Sequence, residues 1–294
     1  MSQHFLTQQI TTLESVCQAP VLVYATSNIE LDHLPHFYET LSSLPKNDTI
    51  YVFMHCRGGD VNAARRLLLL LREKYTNVIF IVPFFCESAG TIMALGATKV
   101  IAGPLAQFSP IDPHLNGGIN EESEAQQALS FQDIKRFREV GQDWFNINTE
   151  EAGGEILAVL ANSIFPPSLT AFYRSVEEVR QIASELISFQ LNTESETNRS
   201  NIVEQLLSGF HSHHYSVSGN DLYQLGLNIE FNDEIEQVAW PLSVAIQNSI
   251  GGALRESNDA PWLDALIALN NKCLTRTNRV GGLAPEWRER QEHE

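Results

Sequence analysis

The chain reads as an α/β protein built on a mostly parallel sheet, and three observations predict this. Short β-branched and aromatic runs alternate with segments of helical spacing between residues 20 and 102, the order that crossover units require. The runs have the pattern of buried strands, which crossover helices cover on the faces of a sheet. Glycine-bearing turns at 58–59 and at 90 fall where a strand hands over to a helix.

Taken in order, Pro20 to Ala25 (PVLVYA) is a strand bounded by proline and by Thr-Ser-Asn, and Asp32 to Leu44 is a helix. Thr49 to Met54 is the second strand, ending in His55-Cys56-Arg57-Gly58-Gly59-Asp60, and Asp60 is placed to cap a helix over Val61 to Tyr75. Asn77 to Pro83 is the third strand. Cys86-Glu87-Ser88-Ala89-Gly90 follows, then a small-residue helix over Thr91 to Ala97 and a fourth strand over Lys99 to Ala102.

Beyond about residue 115 the character changes. Asn116 to Glu124 is polar and glycine-bearing, the composition of a mobile loop. Helices are predicted over Gln126 to Asp143, Glu150 to Ser163, Leu169 to Leu191 and Asn198 to Phe210. A helix start at Ser218 and a strand over Leu227 to Phe231 close this part. Pro241 to Leu254 and Pro261 to Leu269 read as an apolar helical stretch before a charged tail. The expected organisation is a helical segment at 1–19, a catalytic domain at 20–235 with a helical insertion at about 120–210, and a helical extension with its tail at 236–294.

Composition narrows the function classes. Of 294 residues, 36 are acidic and 19 basic, a formal net charge of −17, which argues against nucleic acid as a partner because phosphate contacts need clustered Lys and Arg. Hydrophobic residues at 43% and charged residues at 19% are ample for a core and wrong for disorder. The four cysteines form no CxxC pair and read as reduced thiols. The first twenty residues lack a signal-peptide pattern, and no apolar run approaches the roughly 20 residues that span a bilayer. A soluble cytoplasmic protein without a membrane span is expected.

Ser88 is the first candidate for chemistry. A serine at a strand-to-helix turn presents its hydroxyl above the sheet, and the N–H of Ala89 faces the same place as a natural oxyanion donor. The plainer alternative is a helix N-cap. The Gly58-Gly59 turn also opens a helix, with backbone N–H groups aimed outward, while the nucleotide motifs GxGxxG and GxxxxGK[ST] are absent. A glycine turn and a serine turn on successive crossover units are more specific together than either alone. His211, His213 and His214 lack the convergent ligand set that zinc needs, so they read as loop histidines and no metal or cofactor is expected. Cys56 and Cys86 read as packing residues.

The pattern His55-x-x-Gly58-Gly59, then Ser88-Ala89-Gly90-Thr91, then Ser109-Pro110-Ile111-Asp112-Pro113-His114 resembles the Clp-protease/crotonase superfold, and within it the serine dehydrogenase proteinase group related to signal peptide peptidase A. The likeness covers residues 20 to 115, and more loosely His211 to Ile229. It implies stacked ββα units with a mostly parallel sheet, to which this chain adds C-terminal helices. It also implies peptide hydrolysis through a Ser88 acyl-enzyme, with Gly58, Gly59 and the Ala89 N–H as oxyanion hole. Arg57 stands where the family usually has proline, and Cys86 leaves no Gly-x-Ser-x-Gly elbow.

The general base stays open between two arrangements. In the Clp branch a histidine follows the serine at a position best matched by Asp112, with His114 two places on. In the signal peptide peptidase branch a lysine serves, and Lys135 is the only lysine between Lys99 and Lys272. Burial in an apolar pocket would lower its pKa enough to accept the serine proton. The resemblance further implies a peptide or unfolded protein as substrate and a homo-oligomer as the working form. A crotonase-like enzyme acting on acyl-coenzyme A and a catalytically silent oligomeric scaffold are the alternatives.

Overall fold

The computed structural model describes residues 1–113, 131–251, 257, 259–281 and 285–290. Helix α1 (Gln3–Cys17) leads into β1 (Val21–Thr26), α2 (His33–Ser42), β2 (Thr49–Cys56), α3 (Val61–Lys74), β3 (Asn77–Val82), α4 (Ala89–Leu95) and β4 (Lys99–Ala102). A short β5 (Gln107–Phe108) precedes four helices: α5 (Phe131–Phe145), α6 (Gly153–Ser163), α7 (Pro166–Gln190) and α8 (Glu196–Ser208). Then come β6 (Val217–Ser218), α9 (Gly219–Gln224), β7 (Ile229–Glu230), α10 (Asp233–Gln247), β8 (Trp262–Leu269), β9 (Lys272–Asn278) and β10 (Glu286–Glu289).

One sheet runs in the order β10-β9-β8-β1-β2-β3-β4-β7. The pairs from β1 through β4 to β7 are parallel, and β8, β9 and β10 join antiparallel at the β1 edge. Every residue of β1 is buried because both faces are covered. Val21 and Val23 meet Leu6, Ile10 and Leu13 of α1 and Leu242 and Ile246 of α10 in one core. Leu22, Val52 and Phe80 meet Leu67 and Leu68 of α3 and Leu186 of α7 in the other. Burying each such side chain stabilises the fold by about 1.5–3 kcal/mol, which fixes the strand ends that carry the site.

The expectation of C-terminal helices holds only for α10. Residues from Trp262 onward form strands, not a helix, and pair with β1 from Val23↔Ala268 to Thr26↔Ala265. The physical reason is that a short apolar run fits a strand or a helix equally by periodicity, and tertiary pairing decides. Asn270 and Asn271 turn β8 back onto β9. The loop expected at Asn116 to Glu124 lies outside the described residues. Gly153 and Gly154 open α6, and Pro166 and Pro167 open α7; proline suits a first turn, where no N–H partner is lost. Among the described residues no single helix is long and apolar enough to cross a membrane, and the bent pair α6 and α7 meets that test only together.

Candidate active site

Four chain segments leave the sheet side by side. Ile29 pairs with Gly59, Cys56 with Cys86, and Phe85 with Gln107, all in parallel sense, so the extensions of β1, β2, β3 and β5 reach the same end of the sheet. The outermost of these is held from behind. Arg276 of β9, only 1% exposed, donates to Asp264, Asp32 and Glu30, which ties the loop after β1 to the C-terminal hairpin.

Ser88 precedes α4 with φ 51° and ψ −112°, a conformation that L-residues seldom adopt. Its side chain makes no capping bond to the helix, so the N-cap alternative does not account for it. The backbone is over-determined instead: Ser88 N–H donates to Ser109 Oγ at 2.7 Å, Gly90 N–H to the Glu87 carbonyl at 2.8 Å, and Glu87 N–H to the Cys56 carbonyl at 2.9 Å. Strain of this kind persists where the surroundings enforce it, and functional sites are where it collects. The side chain is half-buried and therefore reachable from solvent.

The glycine turn lies against it. Gly58 and Gly59 have φ of 137° and 129°, the region that favours glycine. A Cβ added at Gly58 would sit 3.2 Å from Ser88 Cβ and 3.6 Å from its Oγ, so glycine leaves the space beside the hydroxyl open. At Gly59 a Cβ would be 2.3 Å from both backbone N and O of Ile29. The Gly58 N–H is turned onto Cys56 Sγ at 3.2 Å. The Gly58 carbonyl accepts from Ile29 N–H at 2.8 Å. Because the peptide is trans, the Gly59 N–H in the same plane points the opposite way, away from Ile29. Likewise the Ser88 carbonyl accepts from Ile92 N–H inside α4, leaving the Ala89 N–H facing out of the helix N-terminus. Neither amide meets an acceptor among the described residues.

The surroundings are polar on one side and apolar on the other. Burial pushes the Glu87 carboxyl up, opposed by Arg57, by a hydrogen bond from Gln107, and by His213 and His214. The guanidinium of Arg57 lies 3.8 Å from the centre of the Phe85 ring. Cys56 and Cys86 are fully buried, and burial pushes the Cys56 thiol up to about 12 and the Cys86 thiol well above its ordinary value. A thiol held protonated is a poor nucleophile, so both act as packing residues. His55 is also buried, and burial lowers it to about 4, leaving a neutral ring.

The remaining sequence candidates are placed differently. Lys135 is exposed on α5, and the apolar pocket expected around it is not there. The reason is that α5 is a surface helix, with Asp133, Phe137, Arg138 and Glu139 exposed beside it. His114 lies outside the described residues. Asp112 is buried, and its carboxylate meets Nδ1 of His213 at 2.9 Å. Of the three histidines read as loop residues, His213 thus has a defined partner, a role for which the sequence held no signal beyond the cluster itself. No group of three metal-ligating side chains occurs among the described residues.

The described residues form an α/β protein whose mostly parallel sheet carries the serine turn and the glycine turn at one end. Residues 8–124, which carry Ser88 and both glycines, match the family described as ClpP-like SDH-type serine proteinase, as the motifs implied. The uncharacterized protein MJ0137 of Methanocaldococcus jannaschii is 24% identical over 204 residues, 69% of this chain and 61% of that one. MJ1495 of the same organism is 21% identical over 188 residues, 64% of this chain and 54% of its own. The chain thus spans less than two thirds of the length of the curated relatives it matches. Among solved structures, a substituted form of the 1510-N membrane-bound stomatin-specific protease matches with a TM-score of 0.42 and 15% identity, over 71% of this chain and 77% of that one. ClpP1 from Listeria monocytogenes matches with a TM-score of 0.38 and 17% identity, over 77% and 96%.

Proposed function

We propose that this chain is a serine peptidase that cleaves peptide bonds through a Ser88 acyl-enzyme. The observation that carries the reading is the meeting of the Ser88 hydroxyl with the glycine turn, 3.6 Å from the position a Gly58 Cβ would take. In the reaction the Ser88 oxygen attacks the carbonyl carbon, and the negative charge that develops on the carbonyl oxygen is received by the N–H groups of Gly59 and Ala89. Gly58 contributes an absent side chain rather than a donor. Preorganised donors of this kind are worth about 3–4 kcal/mol each in the transition state. The strained backbone leaves the hydroxyl without a capping bond to compete.

A peptide or unfolded protein bound in extended form is the substrate this reading favours, and a cytoplasmic homo-oligomer its working form. A fluorophosphonate probe tests the chemistry. Wild type is expected to be labelled covalently and Ser88→Ala to lose the label. Acyl-coenzyme A binding without labelling would support the crotonase-like alternative, and labelling that survives Ser88→Ala would remove Ser88 as nucleophile.

A further inference from the structure

The Gly59 N–H, one of the two oxyanion donors of the proposed mechanism, shares a rigid peptide plane with the Gly58 carbonyl, so whatever holds that carbonyl sets the direction of the donor. The holder is Ile29. Its N–H donates to the Gly58 carbonyl at 2.8 Å, its own carbonyl accepts from Asp60 N–H at 2.8 Å, and it pairs with Gly59 in parallel sense. The two bonds fix the peptide planes on either side of Gly59. Glycines at φ of 137° and 129° are free to turn those planes, and the contact with Ile29 is what stops them.

Ile29 sits in the loop between β1 and α2, and this loop is gripped from the C-terminal hairpin. The Asp264 carbonyl of β8 accepts from Ser27 N–H at 2.8 Å and from Thr26 Oγ1 at 3.2 Å. On the other side of Ile29, Arg276 of β9 takes Glu30 and Asp32 in two forks. Its Nη2 and Nη1 donate to Glu30 at 2.5 and 3.4 Å, and its Nε and Nη2 donate to Asp32 at 3.0 and 3.3 Å. A further bond runs from Nη1 to Asp264 at 2.8 Å, inside the hairpin itself. Trp287 Nε1 of β10 adds a bond to Asp32 at 3.1 Å. The Glu30 and Asp32 side chains are 46% and 42% exposed, so these bonds hold them rather than burial in the core. Burying a guanidinium is costly, and apolar residues of similar volume stabilise a fold as well or better. What the planar fork adds is direction, because it orients two carboxylates at once.

We propose that Arg276 is a positioning residue for the oxyanion hole, acting through Glu30, Asp32 and Ile29 on the peptide between Gly58 and Gly59. The proposal rests on the serine peptidase reading, and it gives the C-terminal hairpin a part in the reaction without contact with the reacting atoms. As charge develops on the carbonyl oxygen, a plane already fixed donates without reorganising. Without the fork the loop moves with Ile29, the plane turns, and the Gly59 N–H leaves the oxyanion. The Ser88 turn keeps its own bonds to Ser109 and Cys56 and stays in place. The chemical step therefore suffers and the binding that precedes it does not.

The test measures fluorophosphonate labelling of the full chain at several probe concentrations, which separates the saturated rate constant from the half-saturating concentration. The variants are Glu30→Ala/Asp32→Ala, Arg276→Gln and Arg180→Gln. The double variant leaves Arg276 paired with Asp264, so the buried charge stays compensated. It is expected to label about 10- to 100-fold more slowly at saturation. Its half-saturating concentration should stay within about twofold of wild type, because the probe's phosphoryl oxygen meets the donors only as the bond to Ser88 forms. A merely structural role lowers the thermal midpoint without producing that split. Arg180→Gln supplies the comparison: it breaks the ion pairs of α7 with Glu177 and Glu204, and should keep both labelling constants within about twofold of wild type. Arg276→Gln should show the same split as the double variant, which decides alone if Arg276→Gln loses its native thermal transition. A folded double variant labelled at the wild-type saturated rate, or slowed only through its half-saturating concentration, overturns the proposal and leaves the peptidase reading standing. A wild type that is never labelled overturns both.

Discussion

Replacing Ser88 by glycine should make the protein more stable while removing its nucleophile. The backbone there has φ 51° and ψ −112°, the mirror image of an ordinary extended conformation. Glycine has no Cβ and occupies mirror-image regions equally, whereas serine or alanine carries strain of about 1–3 kcal/mol. The serine hydroxyl makes no helix-capping bond whose loss would offset the gain. Against this stands glycine's greater freedom in the unfolded chain, about 0.5–1 kcal/mol relative to alanine. The net advantage of Ser88→Gly over Ser88→Ala is then about 0.5–2 kcal/mol. For 294 residues the entropy of unfolding is about 0.6 kcal/mol/K, so the advantage appears as a Tm higher by about 1–3 °C. Differential scanning calorimetry of the two variants side by side reads this directly. A glycine variant no more stable than the alanine variant would refute the claim that the turn stores strain.

Other perturbations have equally definite outcomes. Gly59→Ala forces a Cβ to 2.3 Å from the Ile29 backbone and should lower the denaturant midpoint severely, whereas Gly58→Ala, strained at φ 137° with its Cβ 3.2 Å from Ser88 Cβ, should lower the midpoint less and slow probe labelling. Burial lowers His33 and His55 to about 4, against about 6.5 when unfolded. The unfolded chain therefore binds more protons between those values, and each neutral ring contributes of order 1–3 kcal/mol above pH 6.5 that is lost as pH falls through about 4. Urea titrations at pH 7.5 and 4.5 should show the drop; equal midpoints would contradict it. Burial also pushes Cys17 and Cys56 to about 12, Cys273 to about 11 and Cys86 upward, so iodoacetamide at pH 8 should modify all four in urea and scarcely any in the native protein, read by mass. Arg276→Ala should destabilise by about 3–5 kcal/mol because it leaves the buried Asp264 carboxylate without its counter-charge; a loss below 1 kcal/mol by chemical denaturation would contradict this.

How far the sequence reached can be traced residue by residue. The parallel strands were legible because Val21 to Ala25 and Val78 to Val82 are apolar throughout and sit between two helical layers. Asp60 was legible as a cap, and its carboxylate does accept from Ala63 N–H at 2.7 Å. The close approaches at Gly58 and Gly59 were legible because only glycine tolerates them. Trp262 to Leu269 was not, since its strand character comes from pairing with β1, far away in sequence. Neither was the link between His213 and Asp112, 101 residues apart, because the register of two two-residue strands sets it. The exposure of Lys135 depends on which face α5 turns outward, and a charged helix face without its tertiary partners does not reveal that. The strain at Ser88 is a backbone property that small neighbours permit but do not require.

One measurement bears most directly on the convergence of hydroxyl and amides: the crystal structure of the protein after reaction with diisopropyl fluorophosphate. The account predicts phosphorus bonded to Ser88 Oγ, with the phosphoryl oxygen about 2.7–3.1 Å from the backbone nitrogens of both Gly59 and Ala89. An adduct on another residue, or one on Ser88 whose oxygen faces solvent away from those two amides, would contradict it.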